Sequence, residues 1–291
     1  MRTKAGGSGW PGGVRAIVEI RWGPLRGHKV VLSPGEQLRV GRTERADLVV
    51  PHDRQMAGLH FELSWDGAAC ALRSLTQAAP LALDGEPVAG GTVSNGSWIK
   101  AGETIFHVYL EEHTPPRRGA GAEPSPDKDR ALALLESLPL PLFAVLDAAR
   151  DDRILEILRE SAEPHRSLYE GIRGEALSEV APYLASTPPG SSLLRRLVLE
   201  GWGRRWGIYL TSARPFKEVR THLRRFLMVL NDADEKRLYF RYYDPATLRA
   251  FIPACSGRQA AELFGPIGAF VAEGESGGAL RFEAGASRGE G

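Results

Sequence analysis

The sequence predicts two domains of different class: an all-β sandwich in the first half and an α/β domain with alternating strands and helices in the second. Three observations predict this. From Val14 to Leu110 the chain is made of short runs with period-two alternation, broken by turn signals. From Leu142 onwards, short apolar runs alternate with stretches whose apolar residues recur at three- and four-residue spacing. Between them, Thr114–Arg130 (TPPRRGAGAEPSPDKDR) carries no large apolar residue, so it buries too little surface to offset its ordering entropy.

The first half opens with VRAIVEIR at 14–21, which alternates as a half-buried strand does. Similar runs are Lys29–Leu32, Gln37–Val40, Leu48–Val50, His60–Ser64, Ala69–Leu72, Pro80–Leu83 and Thr104–Leu110. Ser33-Pro34-Gly35, Asp66-Gly67, Asp84-Gly85, Gly90-Gly91 and Asn95-Gly96 read as the turns between them. Many short strands at this spacing imply a sandwich or barrel.

In the second half Leu142–Leu146 reads as a buried strand, and Asp151 or Asp152 caps a helix whose Ile154, Leu155, Ile157 and Leu158 share one face. Tyr183–Ser186 is a strand. Ser191 or Ser192 caps a helix that turns Leu193, Leu194, Leu197 and Val198 inward. Trp206–Thr211 is a strand, Pro215 opens a helix, and Leu238–Tyr243 (LYFRYY) is a further strand. Asp244-Pro245 then places an N-cap and a proline at the first helical position. Ser256 caps the last helix, Gly265-Pro266 stops it, and Ile267–Val271 is a final strand. The domains are expected at 14–113 and 131–272, with 1–13 disordered, 114–130 a linker and 273–291 a flexible tail.

Composition narrows the function. The 291 residues carry 37 Lys and Arg against 36 Asp and Glu, so the whole chain has no pull towards nucleic acid or an acidic membrane. No run approaches the length of a bilayer span, the N-terminus has no apolar core of a signal peptide, and the cytoplasm is the expected compartment. Two cysteines, Cys70 and Cys255, make neither a disulfide framework nor a four-thiolate zinc site and read as reduced, buried thiols. No phosphate-cradling glycine loop, nucleophile elbow or H-E-x-x-H is present. His52, Asp53 and His60 read as loop residues, not metal ligands. Asp147, Asp151 and Asp152 read as helix-capping and dipole partners, not an acid/base pair. No catalysis, cofactor, metal or small-molecule substrate is expected. Residues 195–225 hold nine Lys or Arg against Glu200 and Glu218, which fits solvated helix faces or the rim for an acidic protein partner. Arg241 lies among apolar and aromatic neighbours and wants a carboxylate, either Asp244 or Asp147.

The segments GRTERADLVV, HDRQMAGLHFEL, LALDGEPV and IKAGETIFHV resemble forkhead-associated (FHA) domains, whose pattern is a Gly-Arg after a strand, a Ser-Arg-x-His segment, a Ser-x-Asn-Gly segment and a late Gly-Asp before the last strand. The resemblance implies an eleven-stranded sandwich that reads phosphothreonine peptides with loops at one end. Gly41-Arg42 and His60 match. Ala57 and Gly58 replace the pattern's Ser and Arg, and Thr76-Gln77-Ala78-Ala79 lacks its Asn. Of the phosphopeptide-binding set only Arg42 remains, so the site reads as vestigial.

The segments FAVLDAARDDRILEIL, SLYEG, APYLAS, GWGRRWGIYLTS, HLRRFLMV, LYFRYYDPATLRAF and AELFGPIGAFV resemble the bacterial type VI secretion effector adaptor or chaperone family, long known only as a domain of unknown function. That resemblance implies a non-enzymatic protein that binds a secreted effector and helps load it onto the valine-glycine-repeat spike protein. An FHA domain fits beside it, because phosphothreonine signalling recurs around that secretion system. Arg241, Tyr242, Tyr243, Asp244, Trp202 and Trp206 are the expected partner-facing residues. The alternative is a signalling module that binds phosphothreonine peptides.

Overall fold

The structure is a computed structural model and describes residues 14–21, 24–116, 124–139, 141–171, 176–230 and 237–285. The segment read as disordered, 1–13, and the middle of the linker lie outside them. The chain divides into two compact units, Met1–Pro115 with Arg159–Ala162, and Pro116–Leu158 with Glu163–Gly291.

The first unit is a two-sheet β structure of eleven strands among the described residues. One sheet runs in the order β2 (Lys29–Leu32), β1 (Ala16–Ile20), β11 (Thr104–Leu110), β10 (Trp98–Ala101), β7 (Leu81–Leu83), β8 (Glu86–Pro87). The other runs β4 (Leu48–Val49), β3 (Gln37–Gly41), β5 (Phe61–Trp65), β6 (Cys70–Ser74), β9 (Gly90–Val93). Period two does its work in β5, where Phe61, Leu63 and Trp65 are buried and join one core with Ile20, Val40, Ile99 and Phe106. Gly90-Gly91, read as a turn, lies inside β9: a Cβ on Gly90 would stand 2.6 Å from the Leu72 carbonyl oxygen of the neighbouring strand, so glycine here permits strand approach.

The second unit has one sheet, β13 (His165–Ser167), β14 (Pro182–Ser186), β12 (Leu142–Asp147), β15 (Gly207–Thr211), β18 (Ala269–Glu273), β19 (Ala279–Glu283), with a separate hairpin of β16 (Met228–Leu230) and β17 (Arg237–Tyr239). Six α-helices are described: α1 (Pro126–Glu136), α2 (Arg153–Arg159), α3 (Ser192–Gly201), α4 (Phe216–Arg224), α5 (Pro245–Ala254) and α6 (Gly257–Phe264). Every residue of β12 is buried, and its alternation feeds two cores. Leu142, Ala144 and Leu146 pack with α1, α2 and α3 residues, whereas Phe143 and Val145 pack with Val219, Leu223, Leu248 and Phe264 from α4, α5 and α6. The result is a sheet with helices on both faces. All its recorded pairings are antiparallel. Strand-helix alternation thus specified the layers and not the strand directions.

Three boundaries are corrected. The linker's last residues begin α1, where Ser125 accepts from the Lys128 amide and Pro126 takes the first position. The tail drawn from 273 contains β19, paired along its length with β18, and Phe282 packs on the core there. The strand drawn over Leu238–Tyr243 ends at Tyr239, because Asp244 caps α5 through the Ala246 and Thr247 amides and the chain must turn before it.

Cys70 is buried, and burial first, then Asp66, pushes its thiol up to about 11, which makes it inert near neutrality. Cys255 is only half-buried. Three histidines are held neutral. Burial is the main cause at His60 and His222, and burial followed by the cations Arg21 and Arg159 lowers His107 to about 4. A depressed imidazole is protonated more readily in the unfolded chain, so stability is intact above about pH 6.5 and falls as pH drops towards 4. The His107 shift corresponds to about 3 kcal/mol, and screening at this half-buried ring reduces it to roughly 2. Urea midpoints should therefore fall between pH 7 and pH 5, and His107→Gln should flatten that slope; an unchanged slope would contradict the assignment.

Candidate functional sites

The residues that the sequence marks as candidates for recognition fall in two regions, one in each unit. In the first unit, antiparallel register brings three loops to one end of the five-stranded sheet. Val40 pairs with Phe61, and Phe61 pairs with Ser74, so the chain after β3, before β5 and after β6 emerges together. The Leu75 amide donates to the His60 carbonyl. Arg42 is exposed there, and its amide donates to the Ala57 carbonyl at 2.9 Å. Gly41 lies so close to Gly58 that a Cβ would come within 2.2 Å of its carbonyl oxygen. His60 is fully buried. Its Nδ1 accepts from the Ala57 amide at 3.2 Å, and its Nε2 lies 3.0 Å from the Pro80 carbonyl. His60 therefore holds two loops together. Asp53 is likewise committed, accepting from Gln55, Glu103 and the Thr104 hydroxyl. His52, Asp53 and His60 are not assembled as ligands, and among the described residues no group of three or more His, Cys, Asp or Glu is placed to hold a metal.

The loop end thus keeps Arg42 of the pattern, while Ala57 and Gly58 stand where its Ser and Arg would be. A single exposed ion pair contributes roughly 0–1 kcal/mol. Calorimetric titration should show no preference for a phosphothreonine peptide over its unmodified form. The double variant Ala57→Ser, Gly58→Arg should create one, since a Cβ at Gly58 meets only the Thr43 side chain, at 3.3 Å. A low-micromolar phosphate preference in the unaltered chain would refute this.

In the second unit most residues expected to face a partner face the core instead. Trp202, Trp206, Tyr242, Tyr243 and Asp244 are all buried. The reason is local. Trp202 donates to the Gly277 carbonyl, Trp206 packs where any Cβ on Gly201 would strike its ring at 2.3 Å, and the Tyr242 hydroxyl donates to the Leu223 carbonyl. Only Arg241 keeps substantial exposure, 43% of its side chain. It donates to Asp147, one of the two carboxylates anticipated, and lies over the Tyr243 ring at 5.9 Å. Asp244, the other, accepts from Arg150 and from Arg205, the latter at 2.7 and 2.8 Å. Burial opposes the Asp244 charge, yet bonds from Arg205, the Thr247 amide and Arg150 hold its carboxyl below the usual range. The basic helix faces are also less solvated than expected. Arg220 and Arg224 donate to the Ser167 and Leu168 carbonyls and pair with Glu170.

The aromatic surplus lies elsewhere. A cleft of about 640 Å³ opens between the hairpin, the end of α4, α5 and α6, lined by Phe226, Val229, Leu238, Phe240 and Phe251, with Arg225 and Arg258 at its edge. Leu238, Met228 and Tyr239 are 48%, 47% and 41% exposed. Sequence reading missed this cleft because its signal, scattered partly buried aromatics, is the same as that of a core.

Residues 142–262 match the model of a family described as "Domain of unknown function (DUF4123)". No curated protein matches the chain. Among solved structures, the first unit is similar to the FHA domain of the CT664 protein from Chlamydia trachomatis (19% identity, 33% of this chain and 96% of that one, TM-score 0.31). It is also similar to the FHA domain of an Arabidopsis thaliana hypothetical protein (23% identity, 39% and 100%, TM-score 0.33). A third is the cytoplasmic domain of the type III secretion sorting-platform protein PscD from P. aeruginosa (22% identity, 35% and 86%, TM-score 0.31). The chain thus pairs a β-rich first unit, similar in part to FHA domains, with a region, 142–262, that matches the DUF4123 model. Among the described residues no helix is long and apolar enough to cross a membrane.

Proposed function

We propose that this chain is a non-enzymatic, cytoplasmic adaptor that binds a type VI secretion effector and helps load it onto the spike protein. The observation that carries this reading is the family match over 142–262, a domain known in such adaptors. The open apolar cleft beside the hairpin supports it, because a chaperone must cover apolar client surface and the cleft's aromatic lining, with exposed Leu238 at its wall, offers a place to do so. The first unit acts as a second protein-interaction surface, not as a phosphothreonine reader. Co-expression of the full chain with the products of the adjacent genes tests the reading. A toxin or spike component should co-purify, and Leu238→Glu, a change at an exposed position, should weaken retention without lowering thermal stability. If no effector or spike component is retained, the adaptor reading fails.

A further inference from the structure

The ion pairs at the Asp147 end of β12 form a continuous ladder. In order it runs Arg205, Asp244, Arg150, Asp147, Arg241: Arg205 and Arg150 share Asp244, and Arg150 and Arg241 share Asp147, with Arg150 Nε at 3.6 Å from the latter. Its charges are sorted by depth. The carboxylates are 1% and 3% exposed, whereas the guanidiniums of Arg205, Arg150 and Arg241 are 47%, 33% and 43% exposed. Arg204, paired with Asp151 at 2.6 Å and lying over the Trp206 ring, extends the row.

We infer that this row of arginines is a docking surface for an acidic peptide segment of a protein partner. Three arguments converge on that occupant. First, the buried carboxylates are fully engaged, Asp244 also by two helix amides, so the charge offered to solvent is cationic. Second, Arg205 spends only Nη2 on Asp244, which leaves forked Nη1 and Nε donors that suit carboxylate oxygens, while Arg241, bonded to Asp147 and Tyr243, adds its charge. Third, the side chains are already ordered by partners beneath them, so an incoming carboxylate does not bear the rotamer entropy that free surface arginines would lose. Arg205 has a backbone φ of +58°, in the left-handed region, so the turn holds a non-glycine residue in a costly conformation while presenting it outward. The inference stands whether or not the partner is a secreted effector.

The test uses the full chain and a fluorescein-labelled peptide of alternating Glu and Gly, with its Gln counterpart, read by anisotropy. The Glu peptide should bind, the Gln peptide should not, and added salt should weaken binding. Arg205→Gln with Arg241→Gln should reduce affinity at least about tenfold, while Lys217→Gln, an exposed cation on α4, should leave it unchanged. If the double variant unfolds, the single Arg205→Gln is read instead, since that side chain is the most exposed of the ladder. Absence of Glu-peptide binding, binding indifferent to these substitutions, or equal loss with Lys217→Gln overturns the proposal. Each of those results leaves effector retention, measured separately, to decide the adaptor reading.

Discussion

Arg153→Met is expected to destabilise the second unit by about 3–5 kcal/mol, a large part of the stability of an ordinary domain. Arg153 is 1% exposed at the start of α2. Its Nε and Nη2 donate to the two oxygens of Glu200 at 2.7 and 3.2 Å, and Nη1 donates to Glu156 at 3.1 Å. Glu200, in the last turn of α3, is itself buried. Removing the guanidinium strands a buried carboxylate whose other cation, Arg196, is 3.6 Å away through one nitrogen. Desolvation is then no longer offset by bidentate hydrogen bonding. Urea unfolding of the full chain, followed by near-ultraviolet circular dichroism, reads the effect. The double variant Arg153→Met, Glu200→Leu should recover most of the loss, because apolar groups of similar volume replace a buried pair at little cost. A double variant no better than the single one would show that the pair matters through packing rather than charge.

Where alternation and burial agree, the fold was legible. β12 reads as an unbroken apolar run because both its faces are covered, and β5 reads as alternating because one is. LYFRYY misled because consecutive Tyr242 and Tyr243 are both buried. In a strand they would point to opposite faces, but here the chain is turning towards the α5 cap, and a turn can direct neighbours into one core. Arg241's need for a carboxylate was legible from its apolar neighbours. The choice of Asp147, which leaves Asp244 to Arg150 and Arg205, was not, because it depends on which strand end meets which turn. Arg205 was legible only as one of nine cations in 195–225; its left-handed backbone, φ +58°, and its pairing with Asp244 were not.

Gly207→Ala should be the most damaging methyl group in the second unit, costing about 3 kcal/mol or more. A Cβ on Gly207 would stand 2.0 Å from the Val145 carbonyl oxygen and 2.9 Å from the Leu146 Cα, on the adjacent central strand. Backbone cannot give way as a side-chain tip can, so β12 and β15 would have to separate. That pairing is central: β15 joins β12 to β18, and the Asp147 amide donates to the Trp206 carbonyl at 2.7 Å. Separation would therefore also move Asp147 and Asp244 apart from the turn that carries Arg204 and Arg205. Gly203→Ala is the control within the same turn. Gly203 has a φ of +86° and nothing within 4 Å of its added Cβ, so only the conformational cost applies, about 1 kcal/mol. Thermal melts of the two variants should differ severalfold in their shift, and Gly207→Ala should lose acidic-peptide binding at temperatures where it remains folded, while Gly203→Ala retains it. Equal shifts would mean that backbone conformation, not the close approach of β12 and β15, is what glycine supplies at both positions.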